Sequence, residues 1–139
     1  MFDVFNLANW PLVIIELNYL NTNKEFDDFL LRWEKLYQSN TYFTVVIDTR
    51  NLKNIGMTNA YSGSKFILKM REKSPQYLQD TVLIYNDSYV YYLLKLAFSI
   101  QSPFSNVFLY NCPHTNIIEY LELFNNRNKN ADLVIVKKA

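Results

Sequence analysis

The only cysteine and the only histidine of the sequence lie two residues apart, at Cys112 and His114. A thiolate beside an imidazole could form a cysteine nucleophile, but the base normally approaches from another element and needs a third group to orient it. As metal ligands the pair provides two groups, whereas structural zinc takes four. The sequence therefore favours a buried cysteine, followed by a turn that starts a helix, over a catalytic or metal site.

Acidic residues follow two apolar runs of strand length. Asp48 ends the first of these runs, with Arg50 close by, and Asp87 follows the second. Carboxylates at neighbouring strand ends can bind a metal, but such sites use clustered acids together with a lysine. The pattern favours helix capping as the role of Asp87. The whole chain contains two glycines, which excludes glycine-rich phosphate loops. We therefore expect no enzymatic activity, no metal and no cofactor.

A basic stripe is formed by Lys65, Lys69 and Lys73, which recur every fourth residue on a predicted helix. Like charges at this spacing destabilise a helix by about a few tenths of a kcal/mol per pair. An acidic protein, a phospholipid head group or RNA phosphates could neutralise the stripe. The alternative is an ordinary solvated helix face. An earlier helix is acidic, with Asp27 and Glu34 among its charges, which would suit association between protein chains.

Tyrosines cluster on adjacent predicted elements. Because Val90 and Leu94 are expected to point inward, Tyr92 is expected to face outward, and Tyr89 is a further candidate. Tyrosine is enriched at protein interfaces because its ring buries a large area and keeps a polar tip. The cluster favours contact with another protein, although stacking on nucleic-acid bases and ordinary packing are alternatives.

Composition limits the class of protein. The length of 139 residues favours a single domain that spans residues 1–139. A hydrophobic content of 50% with 19% charged residues excludes intrinsic disorder for the body of the chain. The net charge of +1 argues against general nucleic-acid binding. A single cysteine favours a reducing compartment. The longest apolar stretch, residues 11–15, is far below the roughly 20 residues of a membrane-spanning helix. We therefore expect a soluble, cytoplasmic protein.

Strand-like and helix-like segments alternate along the chain. The predicted order is β-β-α-β-α-β-α-β-α-β, which indicates an α/β fold with a mostly parallel sheet, right-handed crossovers, an N-terminal antiparallel hairpin and about four helices. Thr22 and Glu25 form a capping-box pattern at the start of the first helix. The predicted strands are residues 4–8, 12–17, 43–48, 81–85, 107–110 and 133–136, and the predicted helices start near residue 22 and cover about 58–73, 88–100 and 115–124.

This order resembles the STAS domain, the fold of bacterial anti-sigma-factor antagonists and of the cytoplasmic tails of sulfate transporters. The family's central motif follows a strand as an acidic residue, two serines and a glycine at a helix N-terminus. The corresponding stretch here is residues 46–59, in which Leu52 and Ile55 match the apolar spacing before the motif. The resemblance covers roughly residues 4–124. It implies a non-enzymatic domain that binds other proteins.

The motif itself is changed. Gly56 occupies the acidic position, Met57 that of the phosphorylated serine, Thr58 that of the second serine and Asn59 that of the glycine. Methionine has no hydroxyl, so the serine phosphoswitch of the family cannot operate at this position. Thr58 is an alternative phosphorylation site near a helix N-terminus, where a phosphate is favoured, or it is simply the N-cap.

We therefore predict a divergent STAS-like interaction or assembly domain that binds a protein partner or a second copy of itself. The predicted partner-binding residues are Gly56, Met57, Thr58, Asn59, Lys65, Lys69, Lys73 and Tyr92. The alternative is a small-ligand or lipid-binding domain similar to the CRAL-TRIO fold, although the chain has little spare length for the extra helices of that fold. This alternative predicts an apolar pocket near Asp48, Tyr85 and Tyr110.

Overall fold

A computed structural model describes residues 1–111 and 133–136, and within them the predicted alternation of strands and helices is confirmed. The strands are β1 (Asp3–Asn6), β2 (Leu12–Leu17), β3 (Phe43–Asp48), β4 (Leu78–Tyr85), β5 (Asn106–Asn111) and β6 (Leu133–Val136). The helices are α1 (Asn23–Lys35), which continues into a 3₁₀ turn at Leu36–Ser39, α2 (Met57–Arg71) and α3 (Ser88–Ile100). Cys112, His114 and the predicted helix over 115–124 lie outside the described residues.

The strands form one sheet in the order β1-β2-β3-β4-β5-β6. Neighbouring strands from β2 to β5 are parallel, and β1 pairs antiparallel with β2, so the mostly parallel sheet with an opening hairpin is confirmed. The last pair, β5 and β6, is also antiparallel, which the sequence had not indicated. Strand β4 was predicted to start at residue 81, because Gln79 and Asp80 interrupt its apolar run. It starts at Leu78, which pairs with Phe43 of β3.

The three helices lie on one face of the sheet. Each crossover steps in the same direction to the neighbouring strand, and crossovers share one preferred hand, so successive helices are placed side by side. A single core cluster accordingly joins Ile47 of β3 to Phe29 of α1, Phe66 of α2 and Val90 of α3. The space between this helix layer and the sheet is the main hydrophobic core.

The opposite face of the sheet has its own buried cluster. It contains Ile14 of β2, Val46 of β3 and Val82 of β4, together with Ile84, Phe108 and Tyr110. The central strands are thus buried on both faces, which is typical of the middle of a parallel sheet.

Helix starts follow the local sequence. Thr22 Oγ1 accepts a hydrogen bond from the Glu25 amide at 3.3 Å, and Glu25 Oε1 accepts one from the Thr22 amide at 3.1 Å, which confirms the capping box. Asp87 Oδ1 accepts from the Tyr89 amide at 2.7 Å and caps α3, as predicted. These caps fix where α1 and α3 leave the sheet edge.

Candidate binding surface and internal cavity

Helix α2 begins where the sequence placed the altered motif. Its first residue is Met57 and its N-cap is Gly56, whose amide donates to Asn59 Oδ1 at 3.0 Å. Asn59 Nδ2 donates in turn to Asn23 Oδ1 at 3.1 Å, at the start of α1. Asn59 is buried and therefore serves the helix start rather than the exposed surface. The interpretation of Thr58 as the N-cap is wrong, and this residue is exposed in the first turn.

Two of the three stripe lysines form ion pairs with α1. Lys69 Nζ lies 2.8 Å from Glu34 Oε1, and Lys73 Nζ lies 2.9 Å from Glu34 Oε2. The hydrogen bonds from these lysines lower the pKa of Glu34. Lys65 Nζ lies 4.7 Å from the centroid of the Tyr61 ring and has no ion-pair partner among the residues described. The basic stripe thus holds α1 and α2 together, and Lys65 is the one of its three lysines without an ion pair in the described structure.

The outward face of α2 is apolar over much of its length. Met57, Tyr61 and Leu68 are 61%, 54% and 47% exposed, and Lys65 lies between the last two. These four residues follow one another at helical spacing and form a continuous line, which we call the α2 stripe. Exposed apolar side chains in such a line are typical of helix faces that bind another protein.

A groove runs beside the α2 stripe, between α1 and α2. Its apolar lining residues are Leu30, Leu31 and Phe66, of which Leu31 is half exposed. Asp27 stands on the α1 wall and Lys65 on the α2 wall. Within residues 1–111, neither of these two charges has an ion pair. We call this feature the α1–α2 groove; its remaining lining residues are Glu34, Ser62 and Lys69.

The tyrosines divide between surface and core. Tyr92 and Tyr89 on α3 face outward, as predicted, and are about half exposed. Tyr91 packs against the buried Tyr85 with ring centroids 4.9 Å apart, and burial raises the pKa of Tyr85. Tyr92 is carried by a different helix from the α2 stripe.

The carboxyl end of β3 carries a buried ion pair. Arg50 Nε and Nη2 donate to Asp48 Oδ1 and Oδ2 at 2.9 and 2.7 Å. In the part of the chain that the structure describes, no cluster of three metal-ligating side chains is present. Tyr110 and Tyr85 belong to clusters on opposite faces of the sheet. The three residues of the predicted pocket, Asp48, Tyr85 and Tyr110, therefore do not share one cavity.

An internal cavity of about 130 Å³ lies elsewhere, between the helix layer and the sheet. Its walls come from β2, β3, β4 and β5 and from the three described helices, and they are almost entirely apolar. Sequence reasoning did not identify this cavity, because its lining residues come from segments far apart in the chain. Prominent lining residues are Phe29, Trp33, Ile47, Gly63, Phe66, Leu83, Leu93 and Phe104.

A few polar groups interrupt the cavity wall. Thr81 Oγ1 and Ser105 Oγ lie 3.0 Å apart and share a hydrogen bond. The indole Nε1 of Trp33 is buried without a hydrogen-bond partner in the described structure. A buried donor without a hydrogen-bond partner costs about 1–3 kcal/mol of stability.

Comparison with protein-family models, with curated proteins and with solved structures gave no match for this chain. None of the described helices has the length and apolar character needed to span a membrane.

Proposed function

We propose that this chain is a non-enzymatic, STAS-like assembly subunit that binds a second copy of itself through the α2 stripe and the α1–α2 groove. The observation that carries the proposal is the exposed apolar line of Met57, Tyr61 and Leu68 on a helix whose other large apolar side chains are mostly buried. The strand–helix order and the buried Leu52 before α2 support the STAS-like assignment.

Charge favours a second copy as the partner. The α1–α2 groove has an unpaired acid, Asp27, on one wall and an unpaired base, Lys65, on the other wall, within the described structure. A twofold axis between two such faces would place Asp27 of each copy beside Lys65 of the other. Isologous interfaces are self-complementary in this way, and complementary rim charges fix the register of association.

The proposed interface does not require phosphorylation. Met57 stands where the related family carries its phosphorylated serine, and its side chain contributes apolar area to the α2 stripe. A phosphate on the exposed Thr58, in the first turn of α2, would add negative charge beside this stripe. Contact between the subunits is therefore constitutive, with Thr58 as a position at which it could be altered.

A charge-exchange experiment tests the interface. Sedimentation velocity over a concentration series should show reversible dimers of the wild-type chain. Asp27→Lys and Lys65→Asp alone should each weaken dimerisation by about tenfold or more, equivalent to about 1.4 kcal/mol, because each creates like charges across the interface. The chain carrying both substitutions should recover wild-type dimerisation.

Matched variants control for unrelated effects. Tyr61→Ser should weaken the dimer, whereas Tyr19→Ser, at a comparably exposed tyrosine in the loop before α1, should not. A wild-type chain that stays monomeric at every concentration would contradict the proposal. Equal behaviour of the single and double charge variants would exclude this interface.

A further inference from the structure

The internal cavity indicates a second binding site, which is independent of the proposed dimer interface. We propose that it is a binding site for a small, apolar molecule of about one aromatic ring that carries a hydrogen-bond acceptor. The ligand would lie between the sheet and the helix layer, in contact with Trp33 of α1 and Gly63 of α2.

Size defines the ligand class. Apolar cavities of about 150 Å³ remain dry and accept benzene or xenon, and the cavity here is about 130 Å³. Pockets for drug-sized ligands measure about 300–1,000 Å³. The cavity therefore fits a fragment-sized molecule and excludes a whole membrane lipid. A Cβ built on Gly63 meets no atom within 4 Å, which places open space directly beside the α2 backbone.

The polarity of the cavity wall indicates an uncharged ligand that carries one hydrogen-bond acceptor. Nearly all of the wall is aliphatic or aromatic, so a charged ligand would lose its hydration without compensation. The buried Trp33 N–H lacks an acceptor in the described structure, and it belongs to a side chain that lines the cavity. A carbonyl or ether oxygen on the ligand would satisfy it once a small rotation of the indole turns the N–H toward the cavity. The Thr81 and Ser105 hydroxyls offer a second polar position on the sheet side.

Binding can be followed at the two tryptophans by nuclear magnetic resonance. The full chain, labelled with ¹⁵N, is titrated with acetophenone and with the similarly shaped ethylbenzene, which lacks the acceptor. Acetophenone should shift the Trp33 indole resonance in a saturable manner and bind several-fold more tightly than ethylbenzene. The indole of Trp10, which stacks on Phe43 outside the cavity, should be unaffected and serves as the internal control.

Substitutions locate the site. Gly63→Leu should fill the cavity and abolish saturable binding. Gly63→Ala raises the helix propensity by a similar amount but adds only a methyl group, so this control variant should retain much of the binding. Ala97→Val fills the cavity from α3 and is the second test if Gly63→Leu does not fold. Trp33→Phe, followed through backbone amides of the lining residues, should remove the preference for acetophenone.

Three results would overturn the inference. They are the absence of a saturable shift with either probe, unchanged binding in folded Gly63→Leu or Ala97→Val, and equal affinity for the two probes in the wild-type chain. None of these results depends on whether the chain dimerises through the α2 stripe, so the two proposals fail separately.

Discussion

At the scale of single residues, Arg32 of α1 holds the carboxylate of Asp3 on β1 through two hydrogen bonds of 2.6 Å. The Asp3 side chain is 1% exposed, whereas that of Arg32 is 42% exposed. The hydrogen bond to Asp3 raises the pKa of the guanidinium. The pair fastens the edge strand to the helix layer, and the unequal burial makes its two halves energetically different.

Removal of either partner should therefore have unequal effects. Arg32→Ala leaves a buried carboxylate unpaired and should lower the free energy of unfolding by about 3 kcal/mol. Asp3→Ala leaves a guanidinium that water can solvate and should lower it by about 1 kcal/mol. Urea denaturation at neutral pH measures both values. Equal losses, or a larger loss for Asp3→Ala, would contradict this account.

At the scale of elements, Glu34 connects α1 to α2 by accepting hydrogen bonds from Lys69 and Lys73. These bonds lower the pKa of Glu34 in the folded chain. Stabilisation by a carboxylate of this kind is complete above its ordinary pKa of about 4.3 and is lost as the pH falls through the lowered value. The ion pairs also explain why the like-charged lysine spacing is tolerated. The predicted extension of the helix to residue 73 is wrong, because α2 ends at Arg71 and Lys73 reaches Glu34 from the turn that follows.

The pH dependence should therefore differ between the wild-type chain and Glu34→Gln. The wild-type chain should be more stable at pH 6, by up to about 1 kcal/mol because both lysines are partly exposed, and the difference should shrink as the pH falls below the ordinary pKa of a glutamate and through the lowered pKa of Glu34. Urea denaturation at several pH values measures it. Glu72→Gln, at an exposed acid without an ion pair in the described structure, is the matched control. Parallel curves for the wild-type chain and Glu34→Gln would exclude the proposed coupling.

At the scale of the whole molecule, burial is greatest in the middle of the sheet. Val45 and Val46 of β3 face opposite clusters and are both almost inaccessible, as are Val82 and Leu83 of β4. On the edge strand β1, by contrast, Val4 is exposed. Cooperative opening should therefore begin at the hairpin edge and reach the centre of the sheet last.

Native-state hydrogen exchange tests this order. Amides of residues 45–47 and 82–84 should exchange only through global unfolding, at rates that follow the free energy of unfolding measured in urea. Amides of β1 should exchange at least tenfold faster through local opening. Equal protection of β1 and β3 would show that the sheet opens as one unit.

Much of the fold was determined by local sequence. The bounds of β2, β3 and β6 coincide with their predicted runs, and Thr22 and Asp87 start their helices as predicted. Alternation, β-branched runs and capping groups act within a few residues, so a single sequence is enough to reveal them. The outward position of Tyr92 followed from the same helical spacing.

Tertiary structure decided the sites. Glu34 neutralises lysines 35 or more residues away, and Asn59 is held by Asn23 of another helix. The walls of the cavity come from three helices and four strands. The spacing of residues within one element shows which face a side chain occupies, but not which distant group meets it. That choice depends on how the helix layer packs on the sheet, and so the α1–α2 groove, the available charge of Lys65 and the internal cavity emerge only from the folded chain.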